Sequence, residues 1–170
     1  MPPLTDAQIR EVMPHLQRFA LWLTRNPHAA EDLVQSCLTK ALSRWRGYQG
    51  EESLRAWLFA ILYRQFIDGE RRRKRYQRLL NFFTGEEQGS SETAETLAIT
   101  DETLAQFARL SADARALLLM INYEGMSYQE AAVALDIPVG TVMSRLSRAR
   151  KQLHHYLEGK APSVALRRLK

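Results

Sequence analysis

Cysteine is almost missing from this sequence, since Cys37 is the only one among 170 residues. A single cysteine excludes an internal disulfide framework, and with so few ligand candidates a structural zinc site is not expected. Cys37 falls within a helical pattern, which favours a small packed side chain. No apolar run of about 18 residues is present, so no membrane-spanning helix is expected. The N-terminus also lacks the basic start and long apolar run of a secretory signal.

Signatures of catalysis are missing too. The sequence contains no G-x-x-x-x-G-K-[ST], G-x-G-x-x-G, H-E-x-x-H or C-x-x-C motif. The adjacent residues His154 and His155 would point to different sides of a helix, so they do not form a metal-binding pair, and Glu31 and Asp32 make a poor acid/base pair for the same reason. These absences predict a cytoplasmic protein that is not an enzyme and that holds no metal and no cofactor.

What the sequence does contain is helical periodicity and positive charge. The formal net charge is +5, the pI is about 9.6, and 45% of the residues are hydrophobic. The basic balance favours a polyanionic partner. The apolar residues recur at three- and four-residue spacing along the chain, which predicts an all-α fold made of two small helical domains.

The clearest local pattern lies between residues 125 and 157. Ser127 and Glu130 form the S-x-x-E signature of a capping box, which predicts a helix start at Ser127. Residues 136–140 break that helix, and Pro138 suits the first turn of the next one. The second helix is predicted from about Val139 to about Leu157. Its apolar stripe consists of Val142, Leu146, Ala149 and Leu153.

The faces away from that stripe are polar and basic. An α-helix fits the major groove, where arginine pairs with guanine and basic side chains neutralise phosphates. A charged helix face is usually only solvated, but the proline-glycine turn, the capping box and the small residues Ala131 and Ala132 favour a helix-turn-helix that contacts DNA. The residues predicted to contact DNA are Thr141, Ser144, Arg145, Arg148 and Lys151.

The first half of the chain predicts three helices. They run from Thr5–Asp6 through Leu23, from about Ala29 to about Arg46, and from about Leu54 to Arg75. The second of these has an inner stripe of Leu33, Cys37, Leu38, Ala41, Leu42 and Trp45. Its outer face is acidic and rich in amides, which is typical of either a docking surface or a solvated face. That outer face consists of Glu31, Asp32, Gln35, Ser36 and Thr39.

The end of the third predicted helix is strongly basic. Residues 64–78 include seven basic and two acidic residues, which gives this segment a net charge of +5. Such a run favours a nearby anion, and nucleic-acid phosphate is the obvious one. Aromatic residues close in sequence, Tyr48, Trp57, Phe59 and Tyr63, would let unpaired bases stack, although Trp57 also fits a core position. The basic residues are Arg64, Arg71, Arg72, Arg73, Lys74, Arg75 and Arg78.

The composition then changes. Residues 84–108 contain no lysine or arginine and six acidic residues, which predicts a linker that serves either a switchable intramolecular contact or solubility. The predicted organisation is therefore a first domain over residues 1–76, an acidic linker over 77–104, a helix-turn-helix domain over 105–158 and a loose basic tail over 159–170. The linker is predicted to be partly helical, at Leu79–Phe83 and again from about Asp101.

Together these motifs resemble the extracytoplasmic-function group of bacterial sigma factors. The segment LSADARALLLMINYEGMSYQEAAVALDIPVGTVMSRLSRARKQL is similar to sigma region 4. The segments AEDLVQSCLTKAL and LRAWLFAILYRQFIDGERRRKR are similar to the polymerase-binding and promoter-melting parts of region 2. The resemblance covers about residues 10–76 and 104–157.

The resemblance implies a dissociable subunit of bacterial RNA polymerase that recognises promoter DNA. Region 2 would bind the core polymerase through Asp32, Leu33 and Gln35. The loop Gly47–Ser53 and the following helix would capture a base of the minus-ten element, and region 4 would read the minus-thirty-five element. The residues implied at the minus-ten element and its phosphates are Tyr48, Trp57, Arg64, Gln65, Arg71, Arg72, Arg73 and Arg75. Gln65 stands where many family members have asparagine, so its part in reading a base stays open.

The family also implies an anti-sigma factor as a partner, often a membrane-bound one that would hold the chain at the inner membrane. Two other hypotheses compete with a sigma factor. One is a dimeric helix-turn-helix regulator that binds a palindromic operator without polymerase. The other is a sigma-like adaptor that sequesters an anti-sigma factor and does not bind DNA.

Overall fold

The computed structural model describes residues 4–50, 53–85 and 102–159, with the backbone alone for residues 102–104. Every regular element in these ranges is helical, so the fold is all-α, as predicted. The main helices are α1 (Asp6–Thr24), α2 (Pro27–Arg44), α3 (Leu54–Thr84), α4 (Glu102–Ala108), α5 (Ala112–Leu118), α6 (Tyr128–Leu135) and α7 (Val139–Glu158). A 3₁₀ turn at Trp45–Gly47 follows α2, and a π-helical turn at Leu119–Tyr123 follows α5. None of the helices in the described ranges is long and apolar enough to cross a lipid bilayer.

The chain forms two compact units, Met1–Leu97 and Ala98–Lys170. In the N-terminal unit, α1, α2 and α3 pack against one another. Phe19 of α1 and Phe59 of α3 stack with ring centroids 4.5 Å apart and ring planes 3° apart, and both are fully buried with Leu16, Leu58 and Leu62. Burying side chains of this size supplies roughly 1.5–3 kcal/mol each, which makes this cluster the centre of the unit.

Local capping explains where α1 and α2 begin. Thr5 accepts a hydrogen bond from the backbone N–H of Gln8, whose side chain accepts from the Thr5 N–H in return, completing a capping box. Asn26 caps α2 by accepting from the N–H of Ala29, and Pro27 occupies the first turn. The pair Asn26–Pro27, predicted only to end α1, therefore also starts α2 two residues earlier than expected.

Two predictions for the N-terminal unit are wrong. Helix α3 continues to Thr84 and ends where Gly85 adopts φ 65°, nine residues beyond the predicted end at Arg75. It therefore runs on through residue 76 and includes the helical stretch predicted at Leu79–Phe83, which is confirmed as part of α3. Leu42, predicted on the inner stripe of α2, is 57% exposed, because it lies about 100° round the helix from Ala41, the last residue of the buried stripe.

The C-terminal unit packs α5 and α6 against α7. Leu117 and Met120 are fully buried together with Leu110. Arg115 is buried as well, and its guanidinium donates to the carbonyl of Leu110. Gly125 has φ 66°, where glycine lacks the steric cost of a side chain, and it lets the Met126 N–H reach back to the carbonyl of Met120 at 2.9 Å. This turn sends the chain from the π-helical segment into α6.

Two sequence predictions fall largely outside the described residues. Most of the predicted acidic linker lies in residues 86–101, and the predicted basic tail lies in residues 160–170 apart from Gly159. The described residues in these segments belong to the end of α3 and the start of α4, and to the residue after α7.

Candidate nucleic-acid interface

The turn between α6 and α7 is built by Asp136 and Pro138. Asp136 is left-handed, with φ 55° and ψ 50°, a conformation that aspartate tolerates better than most residues. Its N–H donates to the carbonyl of Val133 at 3.2 Å. Pro138 is extended and caps α7, one position before the first-turn place that the sequence predicted. The resulting three-residue turn joins two helices in the predicted helix-turn-helix order.

The inner face of α7 confirms the predicted apolar stripe. Val142, Leu146 and Ala149 are buried, while Leu153 is half-buried. From α6, Ala131, Ala132 and Ala134 are buried, and such small side chains let the two helices approach closely. The predicted capping box is confirmed, with Ser127 and Glu130 bonded to each other's backbone N–H at 3.0 and 3.1 Å. Packing therefore fixes which face of α7 points outward.

The five predicted contact residues lie on α7 outside its buried stripe. Ser144, Arg145, Arg148 and Lys151 are exposed, and Thr141 is half-buried. The Ser144 hydroxyl donates to the carbonyl of Thr141 at 3.2 Å, and Arg148 Nε donates to the carbonyl of Ser144 at 3.4 Å. At about 100° per residue, Ser144 and Lys151 lie opposite the buried stripe, while Arg145 lies at its flank.

The sequence reasoning missed three residues on this helix. Ser147 is exposed and stands three residues after Ser144 and four before Lys151, so it shares their face. Met143 is 51% exposed near the helix start. Arg150 donates to the side-chain oxygen of Asn122 at 2.8 Å, which ties α7 to the π-helical segment. A count of helical angles along α7 would have found Ser147, but only the folded chain pairs Arg150 with Asn122.

An aromatic cluster lies at the loop between α2 and α3. Tyr48 and Trp57, both predicted as DNA contacts, have ring centroids 5.1 Å apart. Trp45, predicted as a core residue, completes the cluster at 5.2 Å from Tyr48 and 5.9 Å from Trp57. All three rings are half-buried, so Trp57 is neither fully buried nor fully exposed. The cluster gives this loop a π-surface of the kind on which bases stack.

A pocket of about 310 Å³ adjoins this cluster. Arg44, Gly47, Trp57 and Ile61 line it. The pocket thus combines an aromatic ring and an apolar side chain from the first half of α3 with the guanidinium of the last residue of α2. This is a suitable combination for an unstacked base and its phosphate, because the ring offers stacking and the guanidinium offers charge.

The basic run on α3 is divided by the helix. Arg64 is exposed and Gln65 is half-buried. All of residues 71–75 are exposed, but consecutive residues point about 100° apart, so they do not form one surface. Arg71 and Arg75 share one face of α3, and Arg72, three residues before Arg75, lies at the edge of that face. Arg73 lies on the opposite face and pairs with Glu70 at 3.0 Å.

The residues predicted to bind polymerase lie on the outer side of α2. Asp32 is exposed and points away from the core, while Leu33 is half-buried on one flank. Gln35 is exposed on the other flank, where it lines a groove of about 430 Å³ between α1 and α2. On α2, Asp32 therefore lies beside Gln35, whereas Leu33 lies on the other flank of the helix.

Comparisons with known families agree with this architecture. Residues 8–76 match the family model described as "Sigma-70 region 2". Residues 100–153 match the model described as "Sigma-70, region 4". The first match holds α1, α2 and the basic part of α3, and the second holds the helix-turn-helix.

Individual proteins give the same result. The chain is 34% identical over 163 residues to "ECF RNA polymerase sigma factor EcfG" of Rhodopseudomonas palustris, covering 89% of this chain and 85% of that protein. It is 35% identical over 152 residues to "ECF RNA polymerase sigma factor SigL" of Mycobacterium tuberculosis, covering 84% and 82%.

Two solved structures have a similar fold. The sigma factor RpoE of Bartonella quintana, in complex with the anti-sigma factor NepR, matches with a TM-score of 0.74 and 31% identity over 91% of this chain and 97% of that one. CnrH in complex with the cytosolic domain of CnrY matches with a TM-score of 0.62 and 21% identity over 90% and 86%. The second likeness concerns the fold alone.

Proposed function

The chain belongs to the extracytoplasmic-function sigma factors, and we propose that its two units share the work of promoter recognition. The observation that carries the proposal is the coexistence of two surfaces in one chain. One is the exposed arginine face of α7 in a helix-turn-helix, and the other is the pocket lined by Trp57 and Arg44, with the exposed arginines of α3 further along the helix that carries Trp57. Together they suit an initiation subunit that directs core RNA polymerase to a promoter.

The C-terminal unit reads the minus-thirty-five duplex. With its apolar stripe buried, α7 offers its opposite face to the major groove, which admits one helix. Arg148 is the base-reading candidate, because arginine can bond a guanine with two hydrogen bonds. Lys151, one turn further on, contacts phosphate. Ser144 and Thr141 lie nearer the helix start, where recognition helices approach base edges.

The N-terminal unit holds the opened minus-ten element. A base that leaves the stack costs a few kcal/mol, which stacking and pocket contacts offset. Trp57 and Tyr48 provide the stacking surface, and Arg64, Arg71 and Arg75 hold neighbouring phosphates. Gln65 keeps the amide of the family's asparagine on a longer side chain, and its half-buried position suits a contact made from the helix surface.

Core polymerase binds the outer side of α2. Asp32 and Gln35 present a carboxylate and an amide next to the α1–α2 groove, and Leu33 adds an apolar flank. Core polymerase and the minus-ten element can bind the N-terminal unit at the same time, because the polymerase surface on α2 and the aromatic cluster after α2 consist of different residues. Sigma factors are regulatory proteins, and we propose that this chain likewise catalyses no reaction itself.

An anti-sigma factor is the proposed regulator. The match to a sigma factor solved with NepR supports this partner. Such a partner would cover the polymerase-binding or DNA-binding surfaces, so that its release starts transcription. A membrane-bound anti-sigma factor would hold the chain at the inner membrane, and free chain would act in the cytoplasm with polymerase.

The test is reconstitution. Purified chain is mixed with bacterial core polymerase lacking sigma, passed through gel filtration and assayed by run-off transcription on genomic fragments. Co-elution and initiation at a defined start are expected, and Asp32→Ala should weaken co-elution more than Glu11→Ala, an exposed acidic control on α1. Tight duplex binding without co-elution would instead identify a helix-turn-helix regulator. If neither binding occurs but the chain binds an anti-sigma factor, it is an adaptor.

A further inference from the structure

The C-terminal end of α3 extends beyond the three-helix core. Phe66 is its last buried residue, and no side chain from Ile67 to Thr84 is buried. The helix nevertheless ends regularly, with the Gly85 N–H donating to the carbonyl of Asn81 at 2.9 Å. This end of α3 is therefore a well-formed helix whose sides are available to partners.

One side of this end is apolar. Tyr76, Leu79, Leu80 and Phe83 recur at spacings of three, one and three residues, so they form a single stripe of about two turns. Their exposed fractions are 63%, 57%, 43% and 81%. These four residues of α3 are here named the apolar stripe, as distinct from the buried stripe of α7. Four exposed apolar residues at helix-packing spacing are unusual on a surface, where single ones are the norm.

The arginines lie on a different side. Arg71, Arg75 and Arg78 are spaced by four and three residues and form a second stripe, here named the arginine stripe. At about 100° per residue the two stripes are centred roughly 120° apart. Phe82, which is 83% exposed, continues the arginine stripe and not the apolar one. The end of α3 thus offers one face to an anion and another to an apolar surface at the same time.

The size of the apolar stripe limits what covers it. Four such side chains offer on the order of 400–500 Å², whereas each side of a stable protein complex buries about 800 Å². The stripe is too small to hold a separate partner or a second copy by itself. It suits an additional contact in a complex held mainly elsewhere, with a partner that is present while DNA lies on the arginine stripe.

Core RNA polymerase meets these conditions. We infer that the apolar stripe is a second docking surface for core polymerase, used together with the outer side of α2 while the arginine stripe faces promoter phosphates. This inference rests on the proposed function. Polymerase and DNA would then contact the end of α3 from different sides. The contact with polymerase would hold the arginine stripe at a fixed position relative to the polymerase.

The test compares two neighbouring phenylalanines. Full-length chain labelled at its N-terminus is titrated with core polymerase, and the dissociation constant is measured by fluorescence anisotropy. Phe83→Ala should weaken binding about 5- to 30-fold, the range for a side chain that matters in an interface. Leu80→Ala should weaken it in the same direction. Phe82→Ala is the comparison variant, because the residue is equally exposed but lies on the arginine stripe. Its ring meets that of Phe83 edge-to-face at 5.7 Å, so its dissociation constant should change less than that of Phe83→Ala.

Three results would overturn the inference. Unchanged binding of Phe83→Ala and Leu80→Ala to polymerase would remove polymerase as the occupant. A lower melting temperature of isolated Phe83→Ala would mean that the stripe packs within the chain. A dimer seen by sedimentation and lost in Phe83→Ala would assign the stripe to a second copy. If even the unsubstituted chain fails to bind polymerase, the proposed function itself fails.

Discussion

The ring of Tyr48 lies 5.1 Å from the ring of Trp57, tilted by 43°. The two residues belong to different elements, since Tyr48 follows the 3₁₀ turn after α2 and Trp57 lies in the first turn of α3. Gly50 adopts φ 73°, which glycine tolerates without the steric cost of a side chain, and Ser53 starts α3 by accepting from the Ala56 N–H at 3.1 Å. Tyr48 and Trp57 therefore form a two-ring surface, and Trp57 also lines the pocket.

Loss of either ring should impair promoter opening. We expect Trp57→Ala or Tyr48→Ala to lower open-complex formation by about 1–3 kcal/mol, the value of one stacked base, and to leave closed-complex binding nearly unchanged. Permanganate reactivity of unpaired thymines measures the first, and footprinting at low temperature measures the second. Tyr123→Ala, an exposed aromatic control in the other unit, should affect neither. Equal losses in both complexes would limit the rings to a structural role.

Arg148 and Lys151 should differ in the kind of binding they lose. We expect Arg148→Ala to lose about 1–3 kcal/mol of discrimination between promoter and altered minus-thirty-five sequences. Lys151→Ala should weaken all sequences alike and lower the salt dependence by about one ion. Arg150→Ala is the control. The Arg150 side chain binds Asn122, so its removal should leave the discrimination between promoter sequences unchanged. Preference that survives in Arg148→Ala would assign base reading to another residue.

The division of the basic run on α3 predicts different effects for neighbouring arginines. The double variant Arg71→Ala/Arg75→Ala should slow open-complex formation and reduce its salt dependence by about two ions, because these residues share one face. Arg73→Ala removes the same charge per residue from the opposite face, where the guanidinium pairs with Glu70, and should have a smaller effect. The rate of heparin-resistant complex formation at several salt concentrations measures both. Equal effects per arginine would mean that total charge, and not one face, is what matters.

Cys37 should make the N-terminal unit less stable at high pH. Burial raises the pKa of its thiol from 9.0 to about 12, and the thiol lies 3.4 Å from the carbonyl of Leu58. Above pH 9 the unfolded chain loses this proton while the folded chain keeps it, so stability falls as pH rises, by about 1.4 kcal/mol per pH unit from this group. Urea unfolding between pH 8 and 10 should show the slope.

A control variant separates that slope from other titrations. Cys37→Ala should lose the part of the slope that belongs to the thiol, whatever its effect on stability at pH 8. An identical slope in both proteins would show that other groups cause it. Iodoacetamide should also react slowly with the folded chain at pH 8 and rapidly in urea, since only the thiolate is nucleophilic.

The capping box of α6 should stabilise the C-terminal unit alone. Ser127→Ala removes the acceptor for the Glu130 N–H and should lower the free energy of unfolding of that unit by about 1 kcal/mol. Thr5→Ala removes the equivalent acceptor in α1 and should lower the stability of the N-terminal unit by a similar amount. Hydrogen exchange measured separately in the two units would reveal each loss. A loss that appears in both units would mean that they unfold together.

The sequence by itself determined the helices and their order. The capping box at Ser127, the turn around Pro138 and the inner stripe of α7 were all predicted, because each depends on contacts within a few residues along the chain. The signal for the true end of α3 was also present, since Gly85 follows the helical stretch predicted at Leu79–Phe83, but the change to acidic residues favoured an earlier end at Arg75. Composition proved a weaker guide than the glycine stop.

Only the tertiary structure decided which side chains come together. Trp45 and Leu42 show this, since both suited an inner stripe by spacing, yet in the folded chain Trp45 joins the aromatic cluster from the 3₁₀ turn and Leu42 is exposed. The bond from Arg150 to Asn122 spans 28 positions, and no local pattern encodes it. Helical periodicity is a local property of the backbone, whereas pockets and ring clusters depend on how whole elements pack, which is fixed by the complete core.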